Sequence, residues 1–383
     1  MQKNLAIYVH WPFCQSKCPY CDFNSHVAAA VDHEQWRASY REELAHYADI
    51  LPARVITSVF FGGGTPSLME PRTVQVIIDE IARLWPLGPD LEITLEANPT
   101  SVEAEKFAGF RKAGVGRLSL GVQSLDNQAL AFLGRAHNSD QARRAIELAE
   151  RYFPRFSFDL IYARKDQTPD LWERELREAL TLTKGHISLY QLTIEPNTAF
   201  HTQAGRGVKL TAPDDLSATM FEQTQIILRE AGMPAYEISN HARPGDESRH
   251  NLTYWRYEDY IGIGPGAHGR YVLNGDRLAA DNHRAPDVWL REVGMHKHGR
   301  RDCLVLDTLT AQREALLMGL RLSSGIASMT WHERFGMGLD AFIPQQRIRR
   351  LADEGYLEYR PEALRATPAG LQRLNAVLSY LLA

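Results

Sequence analysis

Cysteine is scarce in this chain, with four residues in 383. That excludes a disulfide-stapled scaffold, which spreads paired thiols through a short chain. Long apolar runs are missing too. None approaches the ~18 residues of a membrane span, so no membrane insertion is expected. The start, Met1-Gln2-Lys3-Asn4, leads straight into a strand-like run and lacks a signal-peptide pattern. No excess of positive charge is present: 43 Lys and Arg face 47 Asp and Glu, a net charge of −4. A general affinity for nucleic acid or anionic membranes is therefore not expected. Internal repeats and low-complexity tracts are absent as well. The expectation is a cytoplasmic chain with reduced cysteines; at 44% hydrophobic it has ample material for a core.

The first half alternates between two periods. Strand-like runs at 5–11, 58–61, 91–97, 117–122, 156–162 and 186–193 alternate with helical patterns at 32–50, 71–85, 102–112, 126–133 with 139–152, 169–182 and 214–231. Six strand–helix units demand parallel strands and right-handed crossovers. An open sheet and a partial (β/α)6 barrel both fit. We expect three regions: 1–235 as this α/β unit, 236–305 as a loop-rich connecting and covering segment, and 306–383 as a small helical, winged-helix-like domain. The last expectation rests on helical patterns at 308–322, 329–335 and 340–354, then two short strands at 356–359 and 364–366. Arg347, Arg349 and Arg350 raise a DNA-binding reading, but Asp353, Glu354 and Glu358 stand beside them.

Three of the four cysteines, Cys14, Cys18 and Cys21, fall within eight positions. Thiolates this close repel unless metal neutralises them. Three ligands are one fewer than a closed zinc site or a fully ligated iron–sulfur cluster uses. The site therefore has an open position, unless His10 or His26 completes a zinc site. In parallel α/β folds, chemistry gathers beyond the carboxyl ends of the strands. Each strand end here delivers polar or glycine-rich residues. They are the cysteines, then Gly62-Gly63-Gly64-Thr65-Pro66, Glu96-Ala97-Asn98-Pro99, Gly121-Val122-Gln123-Ser124, Asp159, and Gln191-Leu192-Thr193. Glycines there let the backbone approach a ligand and expose amides to it. A strand-end carboxylate such as Glu96 suits ribose hydroxyls, and Arg135 suits a carboxylate.

The Cys-x3-Cys-x2-Cys spacing, with aromatic Tyr20 before the last cysteine, resembles that of the radical S-adenosylmethionine (SAM) enzymes. The resemblance implies a partial (β/α)6 barrel, a [4Fe–4S] cluster on the three cysteines and SAM at the open iron. Gly62–Pro66 is similar to the family's glycine motif, which meets the SAM amino group. Within the family the chain resembles the branch of oxygen-independent coproporphyrinogen oxidase and the HemW heme chaperones, through Tyr8-Val9-His10-Trp11-Pro12-Phe13-Cys14. The resemblance places Tyr8, Tyr20, Gly63, Gly64, Thr65, Glu96, Gln123, Arg135, Asp159 and Thr193 at SAM.

Two features divide the branch. Where the oxidases carry a fourth cysteine, this chain has Phe23. Arg249-His250-Asn251-Leu252-Thr253-Tyr254-Trp255 matches the His-Asn-x-x-Tyr-Trp heme motif of the chaperones, so His250, Asn251, Tyr254 and Trp255 are the implied heme contacts. Imidazole ligates heme iron, and Tyr and Trp can border a porphyrin. The implied function is heme delivery to apo-acceptors, including membrane-bound respiratory enzymes met at the membrane periphery; a homodimer stays open. The implied rival is the oxidase. One departure is Ala163-Arg164-Lys165-Asp166, where the branch has a Pro-Gly turn; losing that Gly should stiffen or reshape the loop.

Overall fold

The computed structural model describes residues 3–28 and 30–383. In chain order the strands are β1 (Lys3–Trp11), β2 (Phe13–Cys14), β3 (His26–Val27), β4 (Arg54–Gly63), β5 (Leu87–Ala97), β6 (Arg117–Gln123), β7 (Arg155–Tyr162) and β8 (His186–Gln191). Then come β9 (Asn240–Ala242), β10 (Tyr260–Ile263), β11 (His268–Leu273), β12 (Asp276–Asn282), β13 (Arg300–Val305), β14 (Ile326–Ala327), β15 (Leu357–Arg360) and β16 (Ala363–Ala366). The main sheet has eleven strands in the order β13-β12-β11-β10-β1-β4-β5-β6-β7-β8-β9, and it is not closed. From β10 through β8 every pairing is parallel.

The period of two divides the sheet into a packed face and a site face. One face of each strand is apolar and packs under the outer helices: Leu5, Ile7, Val9 and Trp11 on β1, Leu118, Leu120 and Val122 on β6, and Phe156, Phe158 and Leu160 on β7. The opposite face carries Ser58, Thr94, Ser119, Ser157 and Ser188, whose small polar side chains leave an inner space. The outer helices start with side-chain caps: Asp32 accepts from Glu34 and Gln35, Asn138 forms a capping box with Gln141, and Thr168 caps Pro169–Leu182.

The loop-rich expectation for 236–305 is corrected. The segment adds strands β9 through β13 to the sheet, with helices Arg249–Trp255 and Pro286–His296. Its period was hard to read because edge strands here are short and lack a clean apolar face: five of six positions on β13 are exposed. The buried carboxylate of Glu43, on helix His33–Ile50, ties this segment down. It accepts hydrogen bonds from Gly264 N at 2.8 Å, Gly299 N at 2.8 Å, Asn282 Nδ2 at 3.0 Å and Trp289 Nε1 at 3.1 Å.

Residues 311–381 gather a second core, with Leu316, Leu320, Trp331, Ile348, Leu364 and Leu378 among its members. Helices there flank a three-stranded sheet, β14-β16-β15. Among the described residues, no helix is long and apolar enough to cross a membrane.

Candidate cofactor cavity at the strand ends

Beyond the carboxyl ends of the parallel strands lies a cavity of about 430 Å³. Its wall includes Cys14, Cys18, Tyr20, Cys21, Gly63, Gly64, Thr65, Glu96, Gln123, Arg135, Asp159 and Thr193. Sequence separations of up to 179 residues thus collapse into one space. Tyr8 does not line it. Its ring lies on the inner face of β1, near the rings of Phe60 and His250, and faces an adjacent cavity of about 400 Å³. The two cavities share Phe23, Gly63 and Glu96 in their walls.

The cysteine loop is gripped from several strand ends. Thr65 Oγ1 donates to Cys14 Sγ at 3.4 Å, and Arg135 Nη1 donates to Cys18 Sγ at 3.4 Å. Phe200 N donates to Pro19 O at 2.9 Å. Gly134 has φ +65°, and a Cβ there would fall 2.6 Å from Pro19 Cδ, so glycine is required where the loop rests on the next element. All three thiols are free of disulfides. Burial pushes the Cys14 and Cys21 thiols up, and the neighbouring cysteines push the same way. Among the described residues, no three His, Cys, Asp or Glu side chains converge on one ion-sized point. The three thiols line the cavity wall. His10 is also engaged, with Nδ1 3.0 Å from Tyr8 Oη and Nε2 2.8 Å from Asn24 O.

Gly64 N and Thr65 N do not face a ligand, contrary to expectation. They donate to Trp11 O at 2.7 Å and Phe13 O at 2.8 Å. The glycine run is where β4 crosses the cysteine-bearing backbone. A Cβ on Gly64 would sit 2.7 Å from Phe13 O, and Gly63 has φ +114°. A ligand amino group needs acceptors in any case, which carbonyls and carboxylates supply. Two carboxylates are at hand. Burial lifts Glu96 to about 8, with the Asp159 charge adding to the rise, and burial lifts Asp159 to about 6. Arg135 supplies the opposite charge. Its Nη2 donates to Asn98 Oδ1 at 2.5 Å and Gly121 O at 2.8 Å, while its buried Nε has no partner among the described residues. Gln123, at the end of β6, has φ +69°, a conformation that costs a non-glycine residue about 1–3 kcal/mol and concentrates at ligand sites.

Asn98 stands in the strand-end run Glu96–Pro99, but the sequence assigns it no role of its own. It bridges Arg135 and Thr65, its Nδ2 donating to Thr65 Oγ1 at 3.2 Å. Nothing local in the sequence marks it as a hub.

The His-Asn-x-x-Tyr-Trp motif forms the helix Arg249–Trp255, which enters the inner space of the sheet. Buried Glu92 on β5 accepts from Arg249 N at 3.0 Å and His250 N at 3.3 Å. His250 is 1% exposed. Its Nδ1 is 2.9 Å from Ser58 Oγ and its Nε2 is 2.7 Å from Tyr254 Oη, so neither ring nitrogen is free for an iron in this structure. Asn251 Nδ2 donates to Tyr236 Oη at 3.2 Å, and Trp255 lies under Arg321, 4.5 Å from guanidinium to ring centre. Of the four residues, only Tyr254 lines either of these two cavities, the second.

Ala163 and Asp166 take φ +58° and +61°. Arg164 turns inward to buried Glu175 at 2.6 Å.

Comparison with known proteins fits this geometry. The Radical SAM superfamily model matches residues 8–179, and the HemN C-terminal domain model matches residues 306–373. The protein named heme chaperone HemW from Escherichia coli is 37% identical over 99% of this chain and 98% of its own length. Radical S-adenosyl methionine domain-containing protein 1, mitochondrial, from Bos taurus is 41% identical over 98% of this chain and 87% of its own length. The solved structure of Escherichia coli coproporphyrinogen III oxidase, HemN, superposes with a TM-score of 0.83 at 20% identity, over 99% of this chain and 90% of that one, which establishes the shared fold. The superfamily implies a [4Fe–4S] cluster and SAM for this cavity. The chain belongs to the radical SAM superfamily, on the branch of the HemN and HemW proteins.

Proposed function

We propose that this protein is a heme chaperone that carries a [4Fe–4S] cluster and SAM, binds heme as cargo and passes it to apo-hemoproteins. The observation that carries the cofactor half is the ring of Cys14, Cys18 and Cys21 on one wall of the first cavity, with Arg135, Glu96 and Asp159 on the others. Cys14, Cys18 and Cys21 would hold the cluster. Arg135, with its spare Nε–H, would pair with the SAM carboxylate. Glu96 and Gln123 suit the ribose and amino groups. Cluster and SAM together supply one-electron chemistry at the SAM sulfonium. The chain's own part is to hold charge and exclude water: Thr65 and Arg135 place hydrogen-bond donors on two sulfurs.

The cargo half draws on the HemW relatives' name and on the His-Asn-x-x-Tyr-Trp motif. Phe23, where the oxidases of the branch carry a cysteine, favours carriage over oxidation. Acceptors in the membrane would be met at its surface.

Anaerobically reconstituted protein should hold four irons per chain and lose them in Cys18→Ala. It should bind heme in a titration and release it to a heme-free acceptor, followed by the Soret band. Conversion of coproporphyrinogen to protoporphyrinogen in the presence of SAM and reductant would sink the chaperone reading.

A further inference from the structure

Resting on the heme-carrier reading, we propose that the second cavity is the heme seat and that His268, rather than His250, is the axial ligand. His268 opens β11 and lies directly across from Asp281 on β12 in the ladder. Its Nδ1 is 2.6 Å from Asp281 Oδ1. Asp281 Oδ2 is in turn 3.6 Å from Arg301. A histidine that gives one ring N–H to a carboxylate has its tautomer and orientation fixed, and the other nitrogen keeps a free lone pair for metal. Among the described residues His268 Nε2 has no hydrogen-bond partner, and the side chain is 64% exposed. It lines the second cavity. His250 is buried with both nitrogens engaged, so the one imidazole of the pair that iron can reach is His268.

The rest of the cavity suits a porphyrin's two chemistries. Phe23 is 57% exposed at the wall shared with the cofactor cavity, a flat apolar surface that water leaves unstabilised. Tyr254 and Tyr260 meet edge to face, with ring centres 4.5 Å apart. Arg284 lines the same wall, and its guanidinium makes no ion pair among the described residues; a propionate would be its natural partner. The His-Asn-x-x-Tyr-Trp helix then acts from beneath: His250 orients Tyr254, and Tyr254 forms the floor. A seat with an exposed ligand also suits a carrier that must release its cargo.

Heme is titrated into the reconstituted full chain, read by Soret position and electron paramagnetic resonance. Wild type should bind with a histidine-ligated spectrum. His268→Ala should lower affinity about tenfold or more and lose that signature, with added imidazole restoring it; Asp281→Asn should weaken binding about tenfold. His250→Ala should keep the axial-ligand signature. Wild type that binds no heme overturns the carrier reading. Wild-type binding with an unchanged spectrum in His268→Ala overturns this assignment alone, as does loss of the signature in His250→Ala with full imidazole rescue.

Discussion

Glu43 tests how the added strands are held on the barrel. Its side chain is wholly buried and takes four N–H donors from four separate places along the segment 264–299. Burial lifts the carboxyl from 4.5 to about 7, against the pull of those donors. The folded state therefore binds this proton more tightly than the unfolded chain. The resulting stabilisation is full below the unfolded value of 4.5 and is lost as pH rises through about 7. A displacement of that size corresponds to roughly 3 kcal/mol. In Glu43→Gln the site no longer titrates, and the amide nitrogen must face some of the four donors. Each donor left unpaired costs about 1–3 kcal/mol. The variant should be less stable throughout, and its deficit should shrink by roughly 2–3 kcal/mol between about pH 5 and pH 8. Urea unfolding followed by tryptophan fluorescence reads this, since Trp289 donates to Glu43. Amide hydrogen exchange at Gly264 and Gly299 reads it locally. A deficit that is the same at both pH values, or larger at pH 8, would refute the reasoning.

Two further expectations concern backbone junctions. Gly64→Ala puts a methyl 2.7 Å from Phe13 O, where only backbone can yield; it should cost about 1–3 kcal/mol in thermal unfolding and lower the iron retained after reconstitution. In the 163–166 loop, Ala163→Gly relieves a left-handed alanine and should raise stability by up to about 1 kcal/mol, whereas Arg164→Ala removes the cation paired with buried Glu175 and should cost about 3–5 kcal/mol. Equal denaturation midpoints for these two variants would remove both assignments.

The sequence by itself determined the α/β alternation. Periods of two and 3.6 are local, and the six barrel strands lie within a few residues of where those periods place them. It also located the strand-end residues, because every parallel strand presents its carboxyl end to the same side. Only the tertiary structure decided what depends on partners distant in the chain. The strands β9 to β13 have weak local patterning and gain their place from Glu43 and from pairing with β1 and β8. Asn98 became a hub only when Thr65 and Arg135 met it. The two histidines carry the lesson furthest. His250 stands in a motif that reads as a ligand, yet Ser58 and Tyr254 take both its nitrogens. His268, in the glycine-rich run 262–269, reads equally as a turn histidine or as a residue near SAM or heme; a ladder partner thirteen residues on orients it and leaves one nitrogen open. Availability of a lone pair is a property of neighbours in space, and no spacing along the chain encodes it.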